Sequence, residues 1–142
     1  MTKSGPIIVI EDDIDDQEIL DEVFKKLAYK NEIVFFDDGE GAFKYLCQPD
    51  ITPFLILSDI NMPKLGGLEL RKMIQADHEL RIKSIPFIFF TTTANKTFVL
   101  EAYYNSVQGF FQKPNTLEEL EHRIKLIIEY WKECISPNRL ED

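Results

Sequence analysis

Short runs of consecutive apolar residues alternate along this chain with longer stretches of helical spacing. Residues 7–10 read IIVI, and apolar residues then recur at three- and four-residue steps between 19 and 27. The same pair of patterns returns four times, beginning at residues 33–36, 54–57, 86–90 and 109–111. Runs that are apolar at every position are typical of strands covered on both faces, as in a parallel sheet with helices on each side. The sequence therefore predicts five strand–helix units in one doubly wound α/β sandwich.

Length and composition fit a single domain. With 142 residues, 44% of them hydrophobic, the chain can bury roughly 68–70% of its unfolded surface. No repeat, low-complexity stretch or linker divides it. We expect one domain over residues 1–134 and a tail over residues 135–142 that frays, with no output domain after it.

Charge and cysteine content limit the classes of function. The chain has 16 Lys and Arg against 25 Asp and Glu, a formal charge of −9, which opposes attraction to nucleic acid or anionic lipid. Cys47 and Cys134 form no metal-binding or redox motif, so we predict reduced thiols. No signal peptide or membrane-length apolar run is present. We expect a cytoplasmic protein with no direct nucleic-acid or membrane contact.

Polar residues follow four of the five predicted strands. Glu11 and Asp12 follow the first, Asp59 the third, Thr91 the fourth and Lys113 the fifth. Ligands of open α/β sheets bind beyond the carboxyl ends of the strands. If the first, third, fourth and fifth strands are neighbours, these side chains converge on one crevice.

A cluster of carboxylates at that crevice predicts a divalent cation. Carboxylates placed together repel one another unless a cation lies between them, and Mg²⁺ prefers oxygen ligands and retains several waters. Calcium bound by an EF-hand loop fits poorly, because counting from Asp13 puts Glu18 where that loop needs glycine.

Each of these residues also has an ordinary structural interpretation. The acids of residues 11–16 suit the first turn of a helix, and we assign Asp15 and Asp16 to that role. Asp59 alone suits a turn or helix cap, and Lys113 alone suits a solvated lysine. The convergence of four strand ends is what favours a functional site.

Four motifs, each after its predicted strand and in order, carry a resemblance to a known family. They are VIEDD at 9–13, SDINMPKLGGLEL at 58–70, FFTTTA at 89–94 and GFFQKP at 109–114. Over residues 6–131 the chain resembles the receiver domain of two-component response regulators, in particular the single-domain, chemotaxis-regulator type. The resemblance implies a flavodoxin-like three-layer sandwich with a five-stranded parallel sheet in the order 2-1-3-4-5 and five helices.

The resemblance also implies roles for the acids. Asp59 would be the phosphoacceptor that attacks the phosphohistidine of a partner kinase. Mg²⁺ would be bound by Asp12, by Asp59, by the backbone carbonyl of Asn61, and by Glu11 through a coordinated water. Glu11 stands where relatives more often have aspartate.

The remaining motif residues would act on the phosphoryl group. Thr91 would donate a hydrogen bond to it, and Lys113 would pair with it. Pro114 would make the Lys113–Pro114 peptide cis. Phe110 occupies the position of the switch aromatic, although plain core packing is the alternative for it. Thr92 stands where many relatives have Ala or Gly and would narrow access to the site.

The implied function is a phosphoacceptor response regulator, not an enzyme with an external substrate. Its partners would be a sensor histidine kinase or histidine phosphotransfer protein and an unidentified downstream protein, with the chain monomeric or dimerising on phosphorylation. A responsive surface is expected on the helix of residues 95–106.

Three other functions are possible alternatives to this one. A receiver-like docking module would need no phosphorylation. A hydrolase of the haloacid dehalogenase type would need a second Asp two residues after the nucleophile, where Asn61 stands, and its other acidic motif after rather than before Asp59. A flavodoxin-like flavin carrier is disfavoured, since EDDIDD at 11–16 would repel a phosphate.

Overall fold

The computed structural model describes residues 2–135 and contains a five-stranded parallel sheet. The strands are β1 (Ile7–Ile10), β2 (Ile33–Phe36), β3 (Leu55–Ser58), β4 (Phe87–Thr91) and β5 (Gly109–Gln112). Their spatial order is β2-β1-β3-β4-β5, and all four neighbouring pairs are parallel. The predicted doubly wound, flavodoxin-like sheet is confirmed.

The described residues form six α-helices rather than the five predicted. They are α1 (Ile14–Leu27), α2 (Gly39–Leu46), α3 (Gly67–Ala76), α4 (His78–Lys83), α5 (Lys96–Tyr104) and α6 (Leu117–Glu133). The additional helix is α4, which follows α3 after one extended residue, Asp77. The Asp77 carboxylate accepts a hydrogen bond from the backbone N–H of Leu80 at 3.0 Å, so it starts the new helix as an N-cap.

Helices cover both faces of the sheet, giving the predicted three layers. On one face, side chains of β1, β3 and β4 pack with α2, α3, α4 and α5 around Phe87 and Phe89. On the other face, alternate residues of the same strands pack with α1 and α6 around Phe24 and Ile124. Because the central strands are buried on both sides, every residue of β1, β3 and β4 is buried, and this explains their continuous apolar sequence.

The predicted fraying tail, from residue 136 onward, lies outside the described residues. Over residues 2–135, no helix combines the length and apolar character that crossing a bilayer requires.

Candidate functional site

The register between β1 and β3 places Glu11 and Asp59 side by side. Ile10 pairs with Ser58, so Glu11 and Asp59 each follow the last residue of neighbouring parallel strands. The Asp59 N–H donates to the Ile10 carbonyl at 2.9 Å, which extends the pairing by one residue. The backbone of the sheet therefore fixes where the Asp59 carboxylate begins.

The two oxygens of the Asp59 carboxylate have different surroundings. Oδ1 accepts hydrogen bonds from the Ile60 N–H at 2.7 Å and from the Thr91 hydroxyl at 2.5 Å. Oδ2 lies 3.7 Å from the Lys113 ammonium, which is beyond ordinary hydrogen-bond distance. The side chain is 12% exposed. One oxygen is thus held in place while the other is available for a ligand.

Thr91 is fully buried at the end of β4, and its hydroxyl has two partners. It donates to Asp59 Oδ1 and accepts from the Thr93 N–H at 3.1 Å. A hydroxyl that accepts from the backbone has its own proton directed elsewhere, so Thr91 is oriented as a donor toward Asp59.

The Lys113 ammonium lies among three carboxylates. It is 2.6 Å from Glu11 Oε2, 3.2 Å from Asp16 Oδ2 and 3.7 Å from Asp59 Oδ2. Burial lowers the pKa of Lys113, but the hydrogen bond and charge of Glu11, followed by the charges of Asp59 and Asp16, outweigh burial and raise this pKa overall. Lys113 is therefore a permanent cation at this end of the sheet.

Glu11 is the most buried acid of the group, with 2% exposure. Burial raises its pKa to about 7, since desolvation outweighs the hydrogen bond and charge of Lys113, and the nearby Asp59 charge adds to the increase. The charged form of a carboxylate with so high a pKa is stabilised by a second cation nearby.

Glu11, Asp12 and Asp59 form a candidate metal centre. One carboxylate oxygen from each residue lies within 4.8 Å of the others. Asp12 is exposed, so the centre opens to solvent on that side. Three carboxylates are the hard oxygen donors that Mg²⁺ and Mn²⁺ take, so the donor set fits a divalent cation. Asn61 is also exposed, and its side-chain amide donates to Thr93 Oγ1 at 3.4 Å.

Comparison with known proteins decides the family. Residues 7–125 match the response regulator receiver domain. This chain belongs to the receiver domain family. It is 30% identical to the response regulator Rcp1 of Synechocystis over 92% of this chain and 90% of Rcp1. It is also 30% identical to the chemotaxis protein CheY-3 of Vibrio cholerae over 91% of this chain and 95% of CheY-3.

Solved structures agree with this assignment. The phosphorylated cyanobacterial phytochrome response regulator RcpA superposes with a TM-score of 0.83 at 28% identity, covering 93% of this chain and 96% of RcpA. The Mn²⁺-bound form of Rcp1 superposes with a TM-score of 0.80 at 28% identity, covering 93% of this chain and 97% of Rcp1. The receiver domain described here is thus a phosphoacceptor module of two-component signalling.

Asp16 lies in the site of this receiver domain, although the sequence assigned it to a helix first turn. It does lie in the first turn of α1, where its N–H donates to the capping Asp13 carboxylate at 3.1 Å. Its side chain nevertheless reaches Lys113 at 3.2 Å. Asp12 precedes the extended N-cap residue Asp13 and so lies outside the helix, and nothing in the sequence distinguishes Asp16 from other first-turn acids before Lys113 is placed beside it.

Gly67 is a second residue that sequence reasoning missed. A Cβ built on it would lie 2.1 Å from the Asp59 carbonyl oxygen and 2.8 Å from the Phe89 ring. The Gly67 N–H also donates to the Ile60 carbonyl at 2.8 Å. The start of α3 therefore packs directly on the backbone of Asp59, and only glycine permits this approach.

The expectation of a cis peptide before Pro114 is wrong. Residues 2–135 contain no cis peptide bond, so the Lys113–Pro114 bond is trans. The cis form was implied by the family resemblance alone, and trans is the ordinary preference even before proline.

Phe110 and Thr92 lie next to residues of the site. Phe110 is partly buried on β5, with its ring centroid 5.9 Å from that of Phe89. Thr92 is exposed and lines a cleft of about 310 Å³ next to Lys113. Switching by Phe110 and restriction of access by Thr92 stay predictions.

Proposed function

We propose that Asp59 accepts a phosphoryl group from a histidine of a sensor kinase or phosphotransfer protein, with Mg²⁺ as the required ion. The observation that carries this proposal is the asymmetry of the Asp59 carboxylate. Oδ1 is held by two donors, whereas Oδ2 faces the Lys113 ammonium at 3.7 Å, beyond ordinary hydrogen-bond distance. A carboxylate oxygen placed in this way suits a nucleophile.

In the proposed reaction, Asp59 Oδ2 attacks the phosphorus of the phosphohistidine. A P–O bond forms as the P–N bond breaks, and the imidazole leaves with the electron pair and takes up a proton. Phosphoryl transfer depends mainly on in-line positioning and on cancelling charge at the equatorial oxygens. The protein is consumed as a reactant in this step, so we expect no turnover of an external substrate.

Thr91 and Lys113 supply part of that charge cancellation. The Thr91 hydroxyl is already directed at the carboxylate, and the Lys113 ammonium is 9% exposed, so its charge acts through a poorly solvated space. Both groups lie next to the position that the transferred oxygens would take on Asp59.

Mg²⁺ would be held by Glu11, Asp12, Asp59 and the backbone carbonyl of Asn61. The clustered carboxylates and the Mn²⁺ bound in the structure of the relative Rcp1 support a divalent ion at this place. When bound, the ion supplies positive charge for the phosphoryl oxygens. The same ion would relieve the repulsion between the buried Glu11 and its neighbours.

The cleft beside Lys113 suits the approach of a phosphodonor protein. It is lined by Asp16, Ile19 and Leu117, among others, and opens between α1 and the loop before α6. Ile19 is 40% exposed and Leu117 is 54% exposed, so apolar contact area lies next to the reactive end of the sheet. A partner seated there would bring its histidine toward Asp59.

We propose that the output of this domain, residues 1–134, occurs by protein contact through the outer face of α5. We also propose that the protein is cytoplasmic. Tyr103 is 54% exposed and Tyr104 is 88% exposed on that helix. Phosphorylation would draw Thr91 toward the new charge and let Phe110 rotate inward. Identical amide exchange at α5 with and without a phosphoryl mimic would contradict this output.

Labelling by a small phosphodonor, followed by intact mass, tests the proposed function. We expect one added phosphoryl group on wild type with Mg²⁺ and none after chelation or in Asp59→Ala. Asp37→Ala is the matched control, because Asp37 is an exposed acid at the end of the edge strand β2, and it should label as wild type does. An unlabelled wild type would instead favour a docking module.

A further inference from the structure

A second cleft, of about 310 Å³, lies at the opposite rim of the sheet from Asp59. Its lining comes from α3, α4 and the loop between α5 and β5, together with Pro86 and Trp131. Pro86 and Gln108 directly precede β4 and β5, whereas Asp59 and Thr91 stand at the carboxyl ends of their strands. The two sites are therefore separated by the length of the strands.

Arg71 of α3 lines this cleft and is buried, with 4% exposure. Its Nε donates to the Asn105 carbonyl at 2.9 Å, and its Nη2 donates to the Ser106 carbonyl at 2.8 Å. Its guanidinium carbon also lies 5.5 Å from the centre of the Phe87 ring. Within residues 2–135, no carboxylate pairs with it.

The hydrogen-bond inventory of Arg71 is incomplete. A guanidinium has five N–H donors, and the two carbonyls use Nε and one hydrogen of Nη2. Both hydrogens of Nη1 and the second hydrogen of Nη2 have no acceptor among residues 2–135. One of these hydrogens on Nη1 and the one on Nη2 lie side by side at the end of the guanidinium. Such a pair of N–H groups can bind the two oxygens of a carboxylate or a phosphate.

The buried charge is compensated only in part. The carbonyls at the end of α5 carry partial negative charge, and the Phe87 ring offers a weak attraction. Burial lowers the pKa of the Arg71 guanidinium, but arginine remains charged in proteins. A buried cation without a counterion is costly, so an anion at its open edge would be strongly favoured.

A second arginine lines the same cleft. Arg81 of α4 is exposed, lines the cleft, and forms no ion pair with the described residues. The other polar residues that line the cleft are Gln75, Ser84, Ser106 and Gln108. In a chain with a formal charge of −9, two arginines in one cleft that form no ion pair with any acid of residues 2–135 are a local exception.

We propose that this cleft binds a small oxyanion, a carboxylate or a phosphate, on the open edge of Arg71 with Arg81 as the second cation. The volume of about 310 Å³ is at the lower end for small-molecule sites, so the ligand is small. Because Arg71 also holds the carbonyls at the end of α5, the bound anion would tighten the α5–β5 connection. This site is independent of the phosphoryl chemistry at Asp59.

Amide chemical shifts of the full-length chain test this proposal. In metal-free buffer of constant ionic strength, chloride is replaced stepwise by inorganic phosphate in one titration and by succinate in another. We expect saturable shifts at Ser84, Ser106 and Gln108 with at least one probe, and the stronger probe identifies the ligand class. Arg81→Gln should weaken this binding by about 10-fold or more.

The controls distinguish binding at a specific site from a general effect of salt on surface charges. Lys30→Gln removes one exposed positive charge just before β2, at the other edge of the sheet, and should bind the probe as wild type does. Equal weakening by Lys30→Gln and Arg81→Gln, or shifts confined to residues around Asp59, would overturn the proposal. So would the absence of saturable shifts with both probes.

Arg71→Met gives the second variant. If it folds, as judged by its thermal unfolding, we expect no saturable shift at the cleft, and retained binding would overturn the proposal. If it does not fold, Arg81→Gln and Lys30→Gln still decide the outcome. Labelling of Asp59 should proceed in Arg81→Gln, which distinguishes failure of this site from failure of the phosphoacceptor function.

Discussion

Replacing Gly67 by alanine probes how tightly the start of α3 is packed against the segment that contains Asp59. The new Cβ would lie 2.1 Å from the Asp59 carbonyl oxygen, where an ordinary contact begins at 3.4 Å. The obstructing atom belongs to the backbone, so relief requires moving Asp59 or the helix by about 1.3 Å, the difference between those two distances.

The expected destabilisation follows from two opposing effects. Overpacking a well-packed site costs about 1–3 kcal/mol, and the cost falls at the upper end here because backbone must move. Alanine is more favourable than glycine within a helix by about 1 kcal/mol, and this offsets part of the cost. The net loss in the free energy of unfolding should be about 2 kcal/mol. Moving a nucleophile by about 1 Å should also slow labelling by about 100-fold.

Urea unfolding and the rate of labelling measure these two effects in the same variant. Gly41→Ala is the matched control, because a Cβ there meets its nearest atoms at 3.5 Å and 3.6 Å in the helix α2. That control should gain about 0.5–1 kcal/mol and label normally. If Gly67→Ala were as stable as Gly41→Ala and labelled at the wild-type rate, the close approach of α3 to Asp59 would be refuted.

Three further perturbations act on the site itself. Thr91→Val removes the hydroxyl 2.5 Å from Asp59 and should slow labelling by about 10-fold to 100-fold, whereas Thr91→Ser should stay near wild type in the same mass time course; equal rates would contradict the donor role. Mg²⁺ at about 100 times its Kd should stabilise wild type by about 2.7 kcal/mol in urea unfolding. Asp12→Asn should lose most of this stabilisation. If the variant were stabilised as much as wild type, Asp12 would not belong to the metal centre. Without metal, the pKa of Glu11 is about 7 in the folded state against 4.5 for the free side chain, so the folded state retains a proton that the unfolded state loses. Stability should therefore fall by on the order of 2–3 kcal/mol as pH rises from the lower to the higher value, and Glu11→Gln should flatten this dependence.

The sheet was predictable because burial on both faces leaves a strong pattern in the sequence. The predicted runs 7–10 and 33–36 agree with β1 and β2, and 54–57 is displaced from β3 by one residue. Strand ends then led to Asp59, Thr91 and Lys113, since parallel strands bring their carboxyl ends to one rim. The structure brings these three residues together with Glu11 and Asp12.

What the sequence did not predict depends on contacts between elements. The short helix α4 follows α3 after a single extended residue, so its periodicity merges with that of α3. Asp16 looks like any acid in a helix first turn until Lys113 is placed beside it. Gly67 and the buried Arg71 are likewise distinguished only by their neighbours, Asp59 in one case and the loop before β5 in the other.

The position of the phosphoryl group tests the central claim most directly. Reduction of the labelled protein with borohydride converts an aspartyl phosphate to homoserine, and peptide mass spectrometry then reads its place in the chain. We predict homoserine at position 59 alone, formed only when Mg²⁺ was present during labelling. Homoserine at Asp12, or at any acid in Asp59→Ala, would contradict the account.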